Sequence, residues 1–412
     1  MTARNSILVP LLPILIFGSA TVQAQDGSAE TLTDMVREGA INLTFRYRYE
    51  YVDQDNFDRN ARASTLKSRI TFKSASYQNL SFLVEADNVS YIGDDDFNST
   101  DNGNTNYPTV ADPKGTEFNQ AWLKYQWNDL SGAYGRQRIH HGNQRFVGGV
   151  GWRQNEQTFD GFRAQWQGDS GLVVDYAYVY NVNRLFGPDD TDAQPGNLPG
   201  ENHLMRVDYT FAGDHTLSGF FYLLDVDERR SYAPGLSVDN SSDTYGLEYK
   251  GALGPVNLRA AYASQSDAAD SNLDYDADYY VLEGGLALGP VKAKLGYEVL
   301  GGDNGVGFKT PYATLHAFQG WADKFLTTPG DGIEDLYVNL SGKLGPVSLG
   351  ATYHDFQAED SSADFGDEIN LVATWVFNDL LNFQLHYADF SSDAPQRYDD
   401  TRKAWFTVNL SF

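Results

Sequence analysis

Two groups of side chains in this sequence could carry chemistry. The first comprises the His140–His141 pair, Asp160 and Ser170, which together supply the residue types of a nucleophilic triad. The chain has no Gly-x-Ser-x-Gly motif, and a histidine pair beside Gly142 is typical of a solvated turn. The sequence therefore predicts no enzymatic activity and no cofactor.

The second group is a set of cationic side chains that alternate with apolar ones. From residue 41 to 52, for example, Arg46 and Arg48 share a polar face that is opposite Phe45 and Tyr47. Other cations on predicted polar faces are Lys67, Arg69, Lys73, Lys124, Arg136, Arg138 and Arg163. Cations that line one wall of a pore would favour carboxylated or otherwise anionic solutes. The alternative is that they pair with nearby acids, such as Glu50 and Glu85, and only stiffen the structure.

The elements that must position these cations are short strands with period-two alternation. We predict about eighteen strands, at residues 41–52, 64–74, 80–90, 118–128, 131–138, 158–167, 171–182, 202–211, 215–226, 242–250, 256–265, 276–287, 291–300, 334–343, 347–357, 367–377, 381–390 and 401–412. Their connections alternate between long and short. Tight turns on one side and long loops on the other are typical of an up-and-down β-barrel in the bacterial outer membrane.

Three short turns repeat the sequence Leu-Gly-Pro-Val, at 253–256, 288–291 and 344–347. Proline fixes φ at such a bend and glycine supplies conformational freedom, so these segments read as hairpin turns. Their spacing is irregular, which argues against a propeller or a β-helix. The last strand alternates up to Phe412, an ending similar to the signature by which the barrel-assembly machinery recognises its substrates.

The N-terminus indicates export. An apolar run from Ile7 to Phe17 precedes Val22-Gln23-Ala24, which predicts a signal peptide at residues 1–24. The run is too short to span a bilayer. We therefore expect a short periplasmic segment at 25–40 and a transmembrane barrel at 41–412, located in the outer membrane in contact with lipid and lipopolysaccharide.

The composition excludes several classes of function. The 412 residues include 56 acidic and 30 basic side chains, for a net charge of -26, which disfavours binding to nucleic acid. The chain has no cysteine, so thiol catalysis, cysteine-based zinc sites and disulfides are excluded. Most of the surplus carboxylates are in predicted loops. Ca²⁺ would suit Asp94–Asp96 or Asp189–Asp190, but we interpret both as solvated and predict no metal site.

Several segments resemble the alginate export family of outer membrane channel proteins. They are Gly135–Ile139, Asn143–Gly148, Gly151–Gly161 and Ala317–Phe325, and the similarity is strongest from about residue 41 to 165. The resemblance implies an eighteen-stranded monomeric barrel with a polar lumen that passes an anionic polysaccharide or its fragments. The strong acidity of this chain departs from that expectation.

Two long loops, 139–157 and 301–333, have compositions that suit a constriction or a plug. The residues that we expect to contact a sugar there are Arg145, Trp152, Arg153, Gln154 and Trp321. The alternative is that both loops cap the outer rim of the barrel and pack on each other.

We expect the channel to let small hydrophilic or anionic solutes diffuse passively. The candidate substrates include an acidic polysaccharide such as alginate, or its oligosaccharides. The alternatives are a general non-specific porin and a soluble exported sugar-binding β-protein. Extraction behaviour separates the last of these, because a soluble protein would be recovered without detergent.

Overall fold

Eighteen antiparallel strands hydrogen-bond to their neighbours in chain order, and the last closes on the first. The structure is a computed structural model that describes residues 28–187, 196–228 and 238–412. The predicted signal peptide and Asp189–Asp190 lie outside these residues. Closure occurs between the first strand, Ala40–Gln54, and the last, Thr401–Ser411, where Tyr47 is opposite Val408. The predicted all-β barrel of eighteen strands is confirmed.

The element bounds follow the predicted alternation closely. Strands β1 to β5 are Ala40–Gln54, Ala61–Lys73, Leu80–Asp96, Gly115–Trp127 and Leu130–Gln137. Strands β6 to β10 are Thr158–Gln167, Leu172–Asn183, Asn197–Phe211, His215–Leu224 and Ser242–Leu253. Strands β11 to β15 are Val256–Asp267, Asp276–Leu288, Val291–Leu300, Gly302–Asp303 and Val306–Gly307. Strands β16 to β20 are Ile333–Leu344, Val347–Gln357, Asp364–Val376, Leu381–Ser392 and Thr401–Ser411.

Four short elements of the described residues lie outside the barrel wall. The short strands β14 and β15 form a separate hairpin within the long connection between β13 and β16. Helix α1 spans Leu32–Arg37, and a 3-10 turn spans Val238–Asn240. None of the helices in the described ranges is long and apolar enough to cross a membrane.

The short connections share one end of the barrel, as their alternation with long loops requires. In the three Leu-Gly-Pro-Val turns the glycines Gly254, Gly289 and Gly345 have φ of 64°, 64° and 59°, a conformation that disfavours other residues. Outer membrane barrels place their tight turns in the periplasm. This end is therefore periplasmic, and the loops at 97–114, 138–157 and 301–332 extend from the extracellular end.

The two faces of the wall contact different surroundings. Outward side chains are apolar and exposed, such as Ile41 at 65% and Leu282 at 57%. Inward side chains include fully buried Arg48 and Glu50. Large exposed apolar residues over the whole outer wall suit lipid contact, whereas a water-soluble protein would bury them.

Because the barrel is closed, we expect its mobility in gel electrophoresis to change on heating. We expect unboiled protein in mild detergent to migrate faster than boiled protein, because the closed ladder of hydrogen bonds resists unfolding by detergent at room temperature. Circular dichroism of the same sample should show strand with little helix. Identical mobility before and after boiling would contradict the closed barrel.

Candidate functional site: the barrel lumen

The extracellular loop at residues 138–157, named loop A, folds into the lumen. Arg46, on the polar face of β1, donates hydrogen bonds to the carbonyl of Gly151 at 2.9 Å and to Oε1 of Gln154 at 2.9 Å, and also bonds the carbonyl of Arg153. The Gln154 side chain donates to Thr65 Oγ1 on β2 at 2.8 Å. Loop A is therefore held against the inner wall rather than above the rim.

Trp152 anchors the tip of loop A. Its ring lies 4.2 Å from the guanidinium carbon of Arg48 and stacks on His316 with a centroid distance of 4.1 Å. The ring also meets Trp405 edge-on at 5.5 Å and is almost completely buried. Since His316 belongs to the loop at 301–332, named loop B, this contact joins both loops to the wall formed by β1 and β20.

A buried ion cluster joins the same elements. Arg153 of loop A is 3.0 Å from Glu50 of β1 and 3.2 Å from Asp323 of loop B. Asp323 also accepts hydrogen bonds from Lys403 at 2.8 Å and is 2.7 Å from His316 Nδ1. Burial alone would raise the pKa of Asp323, but His316, Lys403 and Arg153 lower it well below its usual range. Asp323 is thus a carboxylate that holds two loops and the wall together.

A second ion cluster neutralises much of the predicted basic wall. Glu156 of loop A is 2.6 Å from Arg138, 2.8 Å from Arg69 and 3.3 Å from Lys67. Although burial alone would raise its pKa, these three cations hold the pKa of Glu156 well below its usual range. Glu85 on β3 also pairs with Arg138, at 2.6 Å. Cross-pairing, one of the two alternatives left open by the sequence, accounts for these cations.

The residues expected to contact a sugar take other positions. Arg145 pairs with Glu298 at 3.1 Å and with Gln319 at 3.0 Å, which ties loop A to loop B and β13. Arg145, Trp152, Arg153 and Gln154 are buried, and of the five only Trp321 keeps partial exposure. Loop A enters the lumen, as the first alternative states, and packs there on loop B, so only the mutual packing named in the second alternative is realised, and loop A does not cap the rim.

Arg136 requires a correction, because it is on the outer face of the barrel. It pairs with Asp160 through two hydrogen bonds of 2.8 and 3.1 Å, and Asp160 is directly opposite it in the ladder. Tyr134, two residues before Arg136, and Phe162, two residues after Asp160, contact each other and are half exposed on the lipid side. Alternation places Arg136 with Tyr134, so it does not line the lumen.

A less neutralised set of cations lies in the periplasmic half of the lumen. Lys124 and Arg163 are both paired across Ala133, so they are level with each other on β4 and β6. The charged groups that act on Lys124 are both cationic, namely Lys73 and Arg163. Within the described part of the chain, neither Lys73 nor Lys124 has an ion-pair partner, whereas Arg163 pairs with Asp175 at 2.5 Å.

The sequence did not single out several residues that organise the lumen. The residues that hold the loops are Glu156, Asp323, His316 and Trp405. Only Glu156 had a signal in the sequence, because it is an acid within a segment rich in Arg and Gln. An acidic residue in a loop is interpreted as solvated when the cations that pair with it are far away in the sequence.

The candidate catalytic residues are not assembled. His141 is 3.7 Å from Asp175, Asp160 is on the outer wall with Arg136, and Ser170 is in the periplasmic turn between β6 and β7. Among residues 28–187, 196–228 and 238–412, no group of three or more His, Asp or Glu side chains is arranged to hold a metal ion.

Acid is expected to loosen loop B as the pH falls from about 6.5 to about 4. Burial lowers the pKa of His316 from 6.5 to about 4, so the packed loop keeps this imidazole neutral over that interval. A detached loop would regain the ordinary pKa and bind more protons, so protons favour detachment in this window. Single-channel current noise should rise on acidification and stay constant in His316→Gln. An equal rise in both channels would contradict this role of His316.

A closed eighteen-stranded barrel with a charged, loop-constricted lumen defines a porin-type channel of the outer membrane. The model of the alginate export family matches residues 38–304, which is more than half of the chain. The chain belongs to the alginate export family. Its location is the cell outer membrane, as that family and this fold require.

Solved structures confirm the architecture. The outer membrane protein OpdK from Pseudomonas aeruginosa aligns with a TM-score of 0.70 at 13% identity, covering 92% of this chain and 99% of that one. OccAB2 from Acinetobacter baumannii gives 0.69 at 13% identity with the same coverage. OccD3 (OpdP) from P. aeruginosa gives 0.68 at 14% identity, covering 95% and 94%. No curated protein matches the chain in sequence. At such identities the likeness concerns the fold.

Proposed function

We propose that this channel lets small hydrophilic solutes diffuse passively and prefers anionic ones, including fragments of an acidic polysaccharide such as alginate. The observation that carries the proposal is the position of Lys73 and Lys124, which lie beside Arg163 in the periplasmic half of the lumen and have no ion-pair partner among the described residues. Side chains that line a pore at close range set its selectivity. Lys67, Arg69 and Arg138 near loop A contribute less, because Glu85 and Glu156 neutralise them.

The global charge of -26 does not oppose this preference. Many of its carboxylates are in extracellular loops or on the outer face, as with Asp355, Asp367 and Asp389 at the ends of β17 to β19. In water at physiological salt, charges are screened beyond about 8 Å. A solute inside the barrel therefore responds mainly to the side chains of the lumen.

Further parts of the proposal concern assembly and catalysis. We propose that the barrel is a monomer and that its C-terminal Phe412 is read by the assembly machinery. Phe412 donates its backbone N–H to the carbonyl of Leu43 at 2.9 Å, so the same residue completes the closure of the barrel. We propose transport without catalysis, which the separation of His141, Asp160 and Ser170 supports.

Block of ion current tests the substrate class. Purified protein in a planar bilayer would be exposed to alginate oligosaccharides and to neutral oligosaccharides of matched length. We expect the acidic sugars to reduce the current at lower concentration than the neutral ones, because the cationic group attracts their carboxylates. Equal block by both would favour a general non-specific porin. Absence of any conductance in folded protein would contradict passive transport.

A further inference from the structure

Helix α1 packs on the outer wall of the barrel at its periplasmic end. Met35 is buried with Ala29 and Ala75, and Leu80 and Phe82 of β3 pack against this cluster. Phe82 faces outward, since it contacts Phe72 at a ring distance of 5.6 Å and Phe72 is opposite exposed Ile41 in the ladder. The helix therefore covers part of the surface that otherwise contacts lipid.

Backbone contacts fix this position. The N–H of Ala75 donates to the carbonyl of Met35 at 3.0 Å, and the N–H of Ala29 donates to the carbonyl of Ser76 at 2.7 Å. Gly39 follows the helix and passes so close to the ring of Phe72 that a Cβ would lie 2.5 Å from its Cζ. The segment is thus fitted to the wall on both sides of α1.

The remaining apolar side chains of α1 face away from the protein. Leu32 is 63% exposed and Val36 is 52% exposed, and with Met35 they occupy one arc of the helix. Thr33, Asp34 and Arg37 occupy the other arc. This pattern, with an apolar arc beside a polar one, is typical of a helix that lies in a membrane interface.

We propose that α1 is an interfacial helix that inserts Leu32 and Val36 among the phospholipid acyl chains of the inner leaflet. The argument is continuity: the apolar arc adjoins the established lipid-facing surface at Ile41 and Ile70 and is level with outward Tyr125, which is opposite Leu80. Phospholipid is the occupant because that surface already contacts it. The insertion holds the N-terminal segment beside the barrel and away from the periplasmic mouth of the channel.

Single-cysteine labelling tests the proposal cleanly, because the chain has no cysteine of its own. Leu32→Cys, Val36→Cys and the control Glu38→Cys would each carry a small environment-sensitive fluorophore. Glu38 is exposed and lies on the polar side of the helix end. The labelled proteins would be reconstituted in phosphatidylethanolamine and phosphatidylglycerol vesicles, with or without lipids that carry a nitroxide quencher on the acyl chain.

We expect lipid nitroxide to quench the labels at 32 and 36 severalfold more than the label at 38, and aqueous iodide to quench the label at 38 most. Equal access of iodide to all three positions would overturn the proposal. So would energy transfer between labelled copies together with insensitivity to lipid nitroxide, since a second copy would then be the occupant. Each variant must first show the shift in gel mobility that a folded barrel gives on boiling. Misfolded variants are thereby excluded from the quenching measurement.

Discussion

Replacing Arg153 by alanine is expected to convert a steady channel into one with frequent transitions to a larger conductance. The change removes the cation that is 3.0 Å from Glu50, which is fully buried, and 3.2 Å from Asp323, whose side chain is 7% exposed. Breaking a buried pair by removing one partner costs about 3–5 kcal/mol, because the other charge stays without compensation. Loops A and B lose a buried ion pair that joins them to the wall, while the Trp152–His316 stack remains, so both loops should leave the lumen intermittently and single-channel recording would detect each departure.

The control for this variant is Arg402→Ala. Arg402 also pairs with an acid, Asp389, at 3.3 Å, but the pair is exposed on the outer face. We expect the Arg402 variant to leave the current trace unchanged. An Arg153→Ala trace that cannot be distinguished from that of the unmodified channel would show that the cluster does not hold the loops in place.

Neutralising Lys73, Lys124 and Arg163 together, each to glutamine, is expected to move the reversal potential in a salt gradient toward cation preference. These side chains are on the lumen face, where low-dielectric surroundings leave their charges less screened than those of the loops. Removing Arg163 also leaves Asp175 without its cation, which adds to the shift in the same direction.

A matched control changes the net charge of the protein by the same amount outside the lumen. Arg62, Arg136 and Arg402 are on the outward face of their strands, and their triple replacement by glutamine leaves the lumen untouched. We expect no shift of reversal potential in this control. Equal shifts in the two triple variants would mean that global charge, rather than the lumen wall, sets selectivity.

Much of the fold could be predicted because the barrel wall separates two solvents. Lipid outside and water inside impose a period of two on every strand, and the tight periplasmic turns leave recognisable Gly-Pro motifs. The predicted strand at 401–412 and the observed β20, Thr401–Ser411, agree almost to the residue. The alternation of long and short connections was enough to predict which end of the barrel is extracellular, without any knowledge of contacts.

The lumen could be predicted only in part, because its contacts join residues that are far apart in sequence. Glu156 lies about 90 residues from Lys67, and Arg153 lies 170 residues from Asp323, so no local pattern reveals either pair. Loops A and B have no periodicity, and their entry into the barrel depends on such pairs. The predicted cations are present and Glu85 is one of the acids expected to pair with them, but Glu156 belongs to a loop, and the strand pattern alone could not place it beside them.

Arg136 shows a different failure. Strict alternation from Tyr134 places Arg136 on the outer face, yet its charge favoured an inward assignment. The structure follows the alternation and pairs Arg136 with Asp160, which also accepts hydrogen bonds from Asn181 and Asn183. A fully hydrogen-bonded pair near the extracellular end of a short strand makes an outward charge tolerable. Periodicity was the better guide than residue type.

The reversal potential of the unmodified channel in a potassium chloride gradient tests the central claim most directly. Purified, heat-modifiable protein would be inserted in a planar bilayer with a tenfold difference in salt concentration between the two sides. The cationic group at Lys73, Lys124 and Arg163 predicts a reversal potential with the sign of chloride preference. A potential with the sign of potassium preference would contradict the assignment of the lumen wall and, with it, the case for an acidic solute.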